Sequence, residues 1–428
     1  MKHLLLILLL LLSSINCRYE REPRADRNAI VFKHGKAAGA ETIKELIRRF
    51  EGQNPDVRVI EEILPATTDE QHQFYVTNLE GRSSRFDVMA LDVIWIPEFA
   101  QAGWLQDLTG RMPEEETYKF LESPMEADTY NGQLYAVPWY VDAGMLYYRK
   151  DLLAKYGLEP PRTMEELVAS ARKVLDGEKD PGLYGFIWQG KQYEGLVCVA
   201  LEFIRGNGGQ ILDREGNCRL KDPRVADALG FMRDLIYENK VSPALVTTAN
   251  EESTRHTFGR GRALYMRNWP YAWNLFQEEG SKVRGLVGVV AMPPFTGNSG
   301  VATLGGWQLG INKYSRNHDA SWRFIEFMTS YRSQRDLALG AGFKPTRKAV
   351  YSDPDLTAKQ PFIAELYPII VNARPRPVTP FYSMISQVLQ SEFSAAINGI
   401  RTPRRALARG EEEIAYILEL ARFWNQRS

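Results

Sequence analysis

The sequence predicts an α/β fold of helix-covered sheets divided into two or three domains. Three observations carry that reading. The chain has 428 residues, and a domain spans about 100–200. Short apolar runs of strand length alternate with amphipathic helical stretches along most of it. Only three Cys occur, which excludes a disulfide-scaffolded fold. Charged residues make up 25% and aromatic residues 11%, which is ordinary for a folded chain and unlike a disordered one. The 53 Lys+Arg balance 53 Asp+Glu. A nucleic-acid binder would show a basic excess or stripe, so that class is disfavoured.

The first segment reads as an address. Lys2 and His3 precede an unbroken Leu/Ile run, Leu4 to Leu12, too short for a membrane span of about 20 apolar residues. A charged start, a short apolar core and then small polar residues form a secretory signal over residues 1–16. Cys17 follows directly, as the lipid-modified Cys does in bacterial lipoproteins, although Ser14 and Asn16 stand where that signal usually has Leu and a small residue. The alternative is plain signal-peptidase cleavage. Residues 17–27 are charged and aperiodic, as a tether is. The expected location is the periplasm or cell surface, with a membrane anchor through Cys17. Export makes a Cys198–Cys218 disulfide permissible, but Cys198 lies in an apolar helical run, Leu196 to Ile204, where a buried free thiol fits better.

The elements follow in order. Ala29 to Phe32 is a strand. The helix Glu41 to Phe50 places Ile43, Leu46, Ile47 and Phe50 on one face, and Asn54-Pro55 stops it. Val57 to Leu64 alternates as a strand, Asp69 to Leu79 is a helix and Phe86 to Leu91 a strand. This βαβαβ order predicts a parallel sheet. Gly144 to Arg149 is a strand, and Thr163 to Leu175 a helix opened by a Thr163/Glu166 capping spacing. Strands follow at Arg262 to Met266 and Val287 to Met292. The tail is helical: Ser321 to Thr329, Ile363 to Asn372, Ser383 to Asn398 and Pro403 to Trp424.

The five His form no zinc spacing, and no Walker loop, dinucleotide fingerprint or Gly-x-Ser-x-Gly elbow is present. No metal or cofactor is expected. Four aromatic clusters stand out instead. Asp92 and Trp95 follow the strand Phe86 to Leu91, where α/β sheets bind ligands in the crevice beyond their strands; equally, Asp92 caps the next helix and Trp95 is core. Tyr135 to Ala143 sets Trp139, Tyr140 and Asp142 in extended chain. Arg267 to Trp273 places Trp269 and Tyr271 at a strand end. Gly305 and Gly306 let the backbone approach something beside Trp307. Packing is the competing role for each ring. Together they suit a sugar: flat rings cover its C–H faces, while carboxylates accept from its hydroxyls.

These residues resemble family 1 extracellular solute-binding proteins of ABC importers, and most closely the trehalose/maltose-binding branch. The similarity runs through Phe50-Glu-Gly-Gln-Asn-Pro-Asp-Val-Arg-Val59, Phe86-Asp-Val-Met-Ala-Leu-Asp-Val-Ile-Trp95, Glu98-Phe-Ala-Gln-Ala-Gly-Trp-Leu105, Leu146-Tyr-Tyr-Arg-Lys-Asp-Leu152, Gly261-Arg-Ala-Leu-Tyr-Met-Arg-Asn-Trp-Pro-Tyr-Ala-Trp273 and Arg376-Pro-Val-Thr-Pro-Phe-Tyr382. It implies a two-lobed periplasmic-binding-protein fold with a ligand cleft between the lobes and a hinge of three crossings. The crossings would lie near Tyr140 to Asp142, Val290 to Pro293 and Phe343 to Thr346. Residues 28–140 and 292–344 would form the N-terminal lobe, 141–291 and 345–428 the C-terminal lobe. Carried over by motif, Glu41, Asp92, Gly306 and Trp307 would reach ligand from the first lobe, with Trp95 beside Asp92. Tyr140 and Asp142 would do so from the crossing, and Trp269, Tyr271 and Arg376 from the second lobe. Arg374 competes with Arg376. The implied function is capture of an α-linked disaccharide by a monomeric lipoprotein that is not an enzyme, with delivery to an inner-membrane ABC permease. The alternatives are a binding protein for another solute (an oligosaccharide, an amino acid or a polyamine) and a glycoside hydrolase using Asp92 and Asp142.

Overall fold

A computed structural model describes residues 28–36, 39–65, 67–213 and 215–425. The signal segment, Cys17 and the tether lie outside the described residues. The strands are β1 (Ala29–Gly35), β2 (Arg58–Leu64), β3 (Val88–Asp92), β4 (Thr129–Tyr130), β5 (Gln133–Leu134), β6 (Ala136–Ala143), β7 (Met145–Arg149), β8 (Tyr184–Ile187), β9 (Ala263–Asn268), β10 (Val287–Ala291) and β11 (Leu304–Ile311). They form a five-stranded sheet in the order β2-β1-β3-β11-β6, a four-stranded sheet in the order β10-β7-β9-β8 and a small β4-β5 pair. Each larger sheet is the centre of one lobe.

The first sheet shows the period-two logic of a strand buried on both faces. Val88 and Ala90 pack into one apolar cluster with Phe32, Phe50 and Phe324. Met89 and Leu91 point the other way, into a cluster with Tyr75, Phe86 and Trp95. The helix Ala40–Gln53 buries Ile43, Leu46, Ile47 and Phe50, the face its spacing predicts. The second lobe has one large cluster around the apolar helix Glu194–Gly206 and the helix Tyr382–Ile397.

The expected parallel sheet holds for β1, β2 and β3, but β11 inserts antiparallel between β3 and β6. The sequence Leu-Gly-Gly-Trp-Gln-Leu-Gly-Ile hid this strand, because three Gly break the alternation. Gly306 is needed there: its φ is 125°, and a Cβ would stand 2.4 Å from the Tyr140 carbonyl oxygen. The chain changes sheet at Gly144, between β6 and β7. A Cβ on Gly144 would collide with the Glu202 and Arg267 side chains, a fully buried ion pair at 2.5 Å. The three segments running between the sheets are tied to one another or to the second lobe through the backbone. Val141 N–H donates to the Lys344 carbonyl at 3.0 Å, Gly144 N–H to Thr303 at 3.3 Å and Leu304 N–H to Arg374 at 2.8 Å.

Thr163 caps its helix by accepting from Glu166 N–H at 3.1 Å, while Glu166 accepts from Arg162 N–H rather than closing back on Thr163. Cys198 and Cys218 are both free, so the disulfide is absent; burial pushes both thiols up. Among the described residues no helix is long and apolar enough to cross a membrane.

Candidate functional site

The site grows from the strand register. Asp92 on β3 lies opposite Trp307 on β11, and Trp307 lies opposite Tyr140 on β6. Gly305 lies opposite Asp142, and a bulge follows Trp307. Four of the singled-out side chains therefore come from the same end of three neighbouring strands. The second lobe closes against them. A Cβ on Gly305 would sit 3.3 Å from the Asp142 Cβ and 3.3 Å from the Trp269 ring, so this glycine is what lets Trp269 approach Asp142. The Trp269 indole is itself fixed: the Arg267 guanidinium stacks 3.9 Å from its centroid, a cation–π contact, and its Nε1 donates to Glu251 at 3.4 Å. Tyr271 donates its hydroxyl to Glu252 at 2.7 Å, and burial, reinforced by that acid, holds the phenol protonated.

Arg376 reaches across the gap. It donates to Asp92 at 2.8 Å in the first lobe and to Glu194 at 3.0 Å in the second. Glu194 also accepts from the Tyr382 hydroxyl at 2.7 Å. Burial raises the Glu194 carboxyl above its usual range while Arg376 pulls it back. Arg376 is buried and Arg374 is exposed, which separates the two guanidiniums. Asp92 also accepts from Ile94 N–H at 3.2 Å, so its capping role is real as well. A second link joins the lobes nearby, where Ser383 donates to Glu98 at 2.5 Å and Glu98 bonds His72 at 2.9 Å. Between Val93, Ile94 and Pro97 on one side and Pro375 and Pro377 on the other, a cavity of only about 10 Å³ is left.

Asp142 differs from Asp92. Among the described residues no hydrogen bond or ion pair engages its carboxylate, and burial pushes its pKa up to about 7, with Lys344 and Arg267 opposing the rise and Asp92 adding to it. Tyr140 is fixed by stacking on Phe343 at 4.0 Å.

Two candidates sit apart. Trp95 is 2% exposed, inside the cluster with Tyr75 and Phe99; it meets Trp307 edge-on at 5.7 Å and supports that ring from behind. Glu41 is exposed at the start of its helix and bonds Lys44 at 2.9 Å, which draws its carboxyl down. Sequence reasoning missed Glu194, Glu202 and Lys344. No spacing signals them, since their partners lie far away in the chain. No group of His, Cys, Asp and Glu among the described residues could hold a metal ion.

A two-lobed α/β body with aromatic rings and acids meeting in the gap defines a solute-binding protein, and comparison with known proteins agrees. Residues 36–335 match the family model for bacterial extracellular solute-binding proteins, and the chain belongs to that family, whose members bind substrates for ABC transporters and are not enzymes. A probable ABC transporter-binding protein of Deinococcus radiodurans is 38% identical over 80% of this chain and 81% of its own. The maltose-bound MalE3 of T. maritima superposes with a TM-score of 0.86 at 43% identity, covering 91% of this chain and 99% of that one. A solute-binding protein of Thermotoga lettingae bound to α-D-tagatose gives 0.81 at 26% identity, covering 91% and 100%.

Proposed function

We propose that this protein captures an α-linked disaccharide of the maltose or trehalose type by lobe closure and hands it to an ABC permease. The observation that carries the reading is the approach of Trp269 from the second lobe to Gly305 and Asp142 of the first, two residues along β11 from Trp307. Two indoles supply platforms for sugar faces, and a carboxylate with no protein partner supplies an acceptor for hydroxyls. The likeness to a maltose-bound neighbour at 43% identity supports the same ligand class. The alternative of another solute is weaker for a polyamine, because Asp92 already holds Arg376.

The cycle needs no covalent chemistry. Sugar that bridges both lobes binds the closed form better and shifts the population toward it. Moving a 1:99 equilibrium to 99:1 takes about 5.5 kcal/mol of differential binding, and a micromolar ligand has only about 8 kcal/mol in total. Contacts from both lobes must therefore count. The closed form then presents both lobes together to the permease. Lipidation of Cys17 would hold the protein at the membrane where the permease sits. Thermal-shift screening across maltose, trehalose, other oligosaccharides, tagatose and polyamines tests the reading, because a tight ligand stabilises by mass action. Stabilisation by a disaccharide above the rest supports it. Stabilisation by a polyamine alone, or glucose release from the disaccharide, overturns it.

A further inference from the structure

Lys344 has a problem that the fold alone does not solve. It lies in the third crossing, is 0% exposed, and its ammonium has no hydrogen-bond partner. Its Nζ stands 5.0 Å over the Phe362 ring, a contact worth about 0.5–2 kcal/mol, whereas an unpaired buried ammonium costs several kcal/mol. Its backbone is paired with Val141, the neighbour of Asp142. Asp142 has the mirror-image deficit, a carboxylate in the site that no protein group bonds.

Resting on the sugar-binding reading above, we propose that Lys344 is a positioning residue for ligand: its buried, unpartnered ammonium, tied by its backbone to the neighbour of Asp142, readies that carboxylate to accept hydroxyl hydrogen bonds when the lobes close. The charged and titratable groups facing Asp142 fix the sign. Lys344 from the third crossing and Arg267 from β9 favour the carboxylate, Asp92 from β3 disfavours it, and the phenols of Tyr140, Tyr147 and Tyr351 surround it in protonated form. Arg267 is already matched to Glu202 at 2.5 Å, and Arg376 to Asp92. Lys344 is left without such a partner, and burial brings its pKa down to about 7 while Asp142, the one charged group acting on it among the described residues, raises it. A hydroxyl donating to Asp142 stabilises the ionised carboxylate, and that charge in turn stabilises the Lys344 ammonium. Ligand binding and the charging of this pair are one linked equilibrium.

The test is the pH profile of maltose affinity, measured by calorimetric titration between pH 5.5 and 9 (range of experiment, about three units around neutrality). In the wild type, affinity rises with pH as Asp142 ionises and falls again above about 7 as the Lys344 ammonium loses its proton. In Lys344→Met the midpoint moves up by at least about one pH unit, so affinity at pH 7 falls at least about fivefold. Asp142→Asn binds weakly at every pH. Lys344→Met with its midpoint unchanged and affinity lowered equally at every pH would make Lys344 a purely structural residue and overturn the inference. Should Lys344→Met fail to fold, the Lys344 Cε resonance of the wild type answers the same question: its titration moves up when maltose is added, and an unmoved titration with maltose bound overturns the proposal. Wild type that takes no maltose or trehalose sinks the functional reading instead, which keeps the two failures apart.

Discussion

Asp92 and Asp142 flank the same strand, β11, yet they live in opposite circumstances. Asp92 is engaged: its Oδ1 accepts from Arg376 of the second lobe and from Ile94 N–H of its own turn. Among the described residues Asp142 has no protein hydrogen bond, and its compensation comes through space, from the unpartnered Lys344 ammonium first and then from Arg267. Two carboxylates one strand apart have thus been given different work. Asp92 fastens the lobes together through Arg376, and the structure spends its polar partners there. Asp142 is left with acceptor capacity that only an incoming group can fill. Specificity in such a cleft comes from the side left unsatisfied, because a site built to be completed by hydroxyls penalises a guest that lacks them.

The largest effect falls on the Asp92 side. Arg376→Met leaves Asp92 and Glu194 buried without their cation and costs about 3–5 kcal/mol of stability, read from urea denaturation. On the unsatisfied side, Lys344→Met removes a charge that had no hydrogen bond, and it costs less than about 1 kcal/mol or stabilises the protein. Equal losses in the two variants would erase the contrast. Next come the rings. Trp307→Ala and Trp269→Ala each weaken disaccharide binding by at least about 2 kcal/mol, roughly 30-fold, by calorimetry. A loss confined to one of them means that only one lobe holds the sugar.

Asp142→Asn weakens binding by about 1.5–3 kcal/mol, the range for a hydrogen bond to a charged group. The same variant carries a proton signature. Asp142 is raised to about 7, so below that pH part of the free protein holds a proton that hydroxyl binding expels. Wild type therefore releases a fraction of a proton per sugar bound near pH 6.5, seen as a buffer-dependent binding heat, and releases less as pH rises. Asp142→Asn shows no such release from this site. The smallest effect is that of Trp95→Phe. This ring supports Trp307 from inside the core, so the change costs under about 1.5 kcal/mol of stability and shifts affinity less than threefold.

The contrast also marks what the sequence could and could not reveal. Helices with a clean apolar face, such as Ala40–Gln53, were readable because burial there follows spacing within a few residues. Strand β11 was not, since its glycines serve the approach of Tyr140 and Trp269 instead of strand propensity. Asp92, Asp142, Trp269 and Trp307 could be picked out from rings and acids near strand ends. Their partners could not. Lys344 lies 202 residues from Asp142 in the chain and Arg376 lies 284 from Asp92, and such pairings exist only once the two lobes are folded together. The same distance explains why Trp95 and Trp307 looked alike as candidates. Only the packing shows Trp95 sealed in the core and Trp307 partly buried beside it.

The most direct test of the account is a crystal structure of the protein with maltose or trehalose bound. The account predicts a sugar ring between the Trp307 and Trp269 indoles, a hydroxyl on the Asp142 carboxylate, and Arg376 still bonded to Asp92. Sugar bound elsewhere, or touching the aromatic rings of one lobe alone with Asp142 empty, would contradict it.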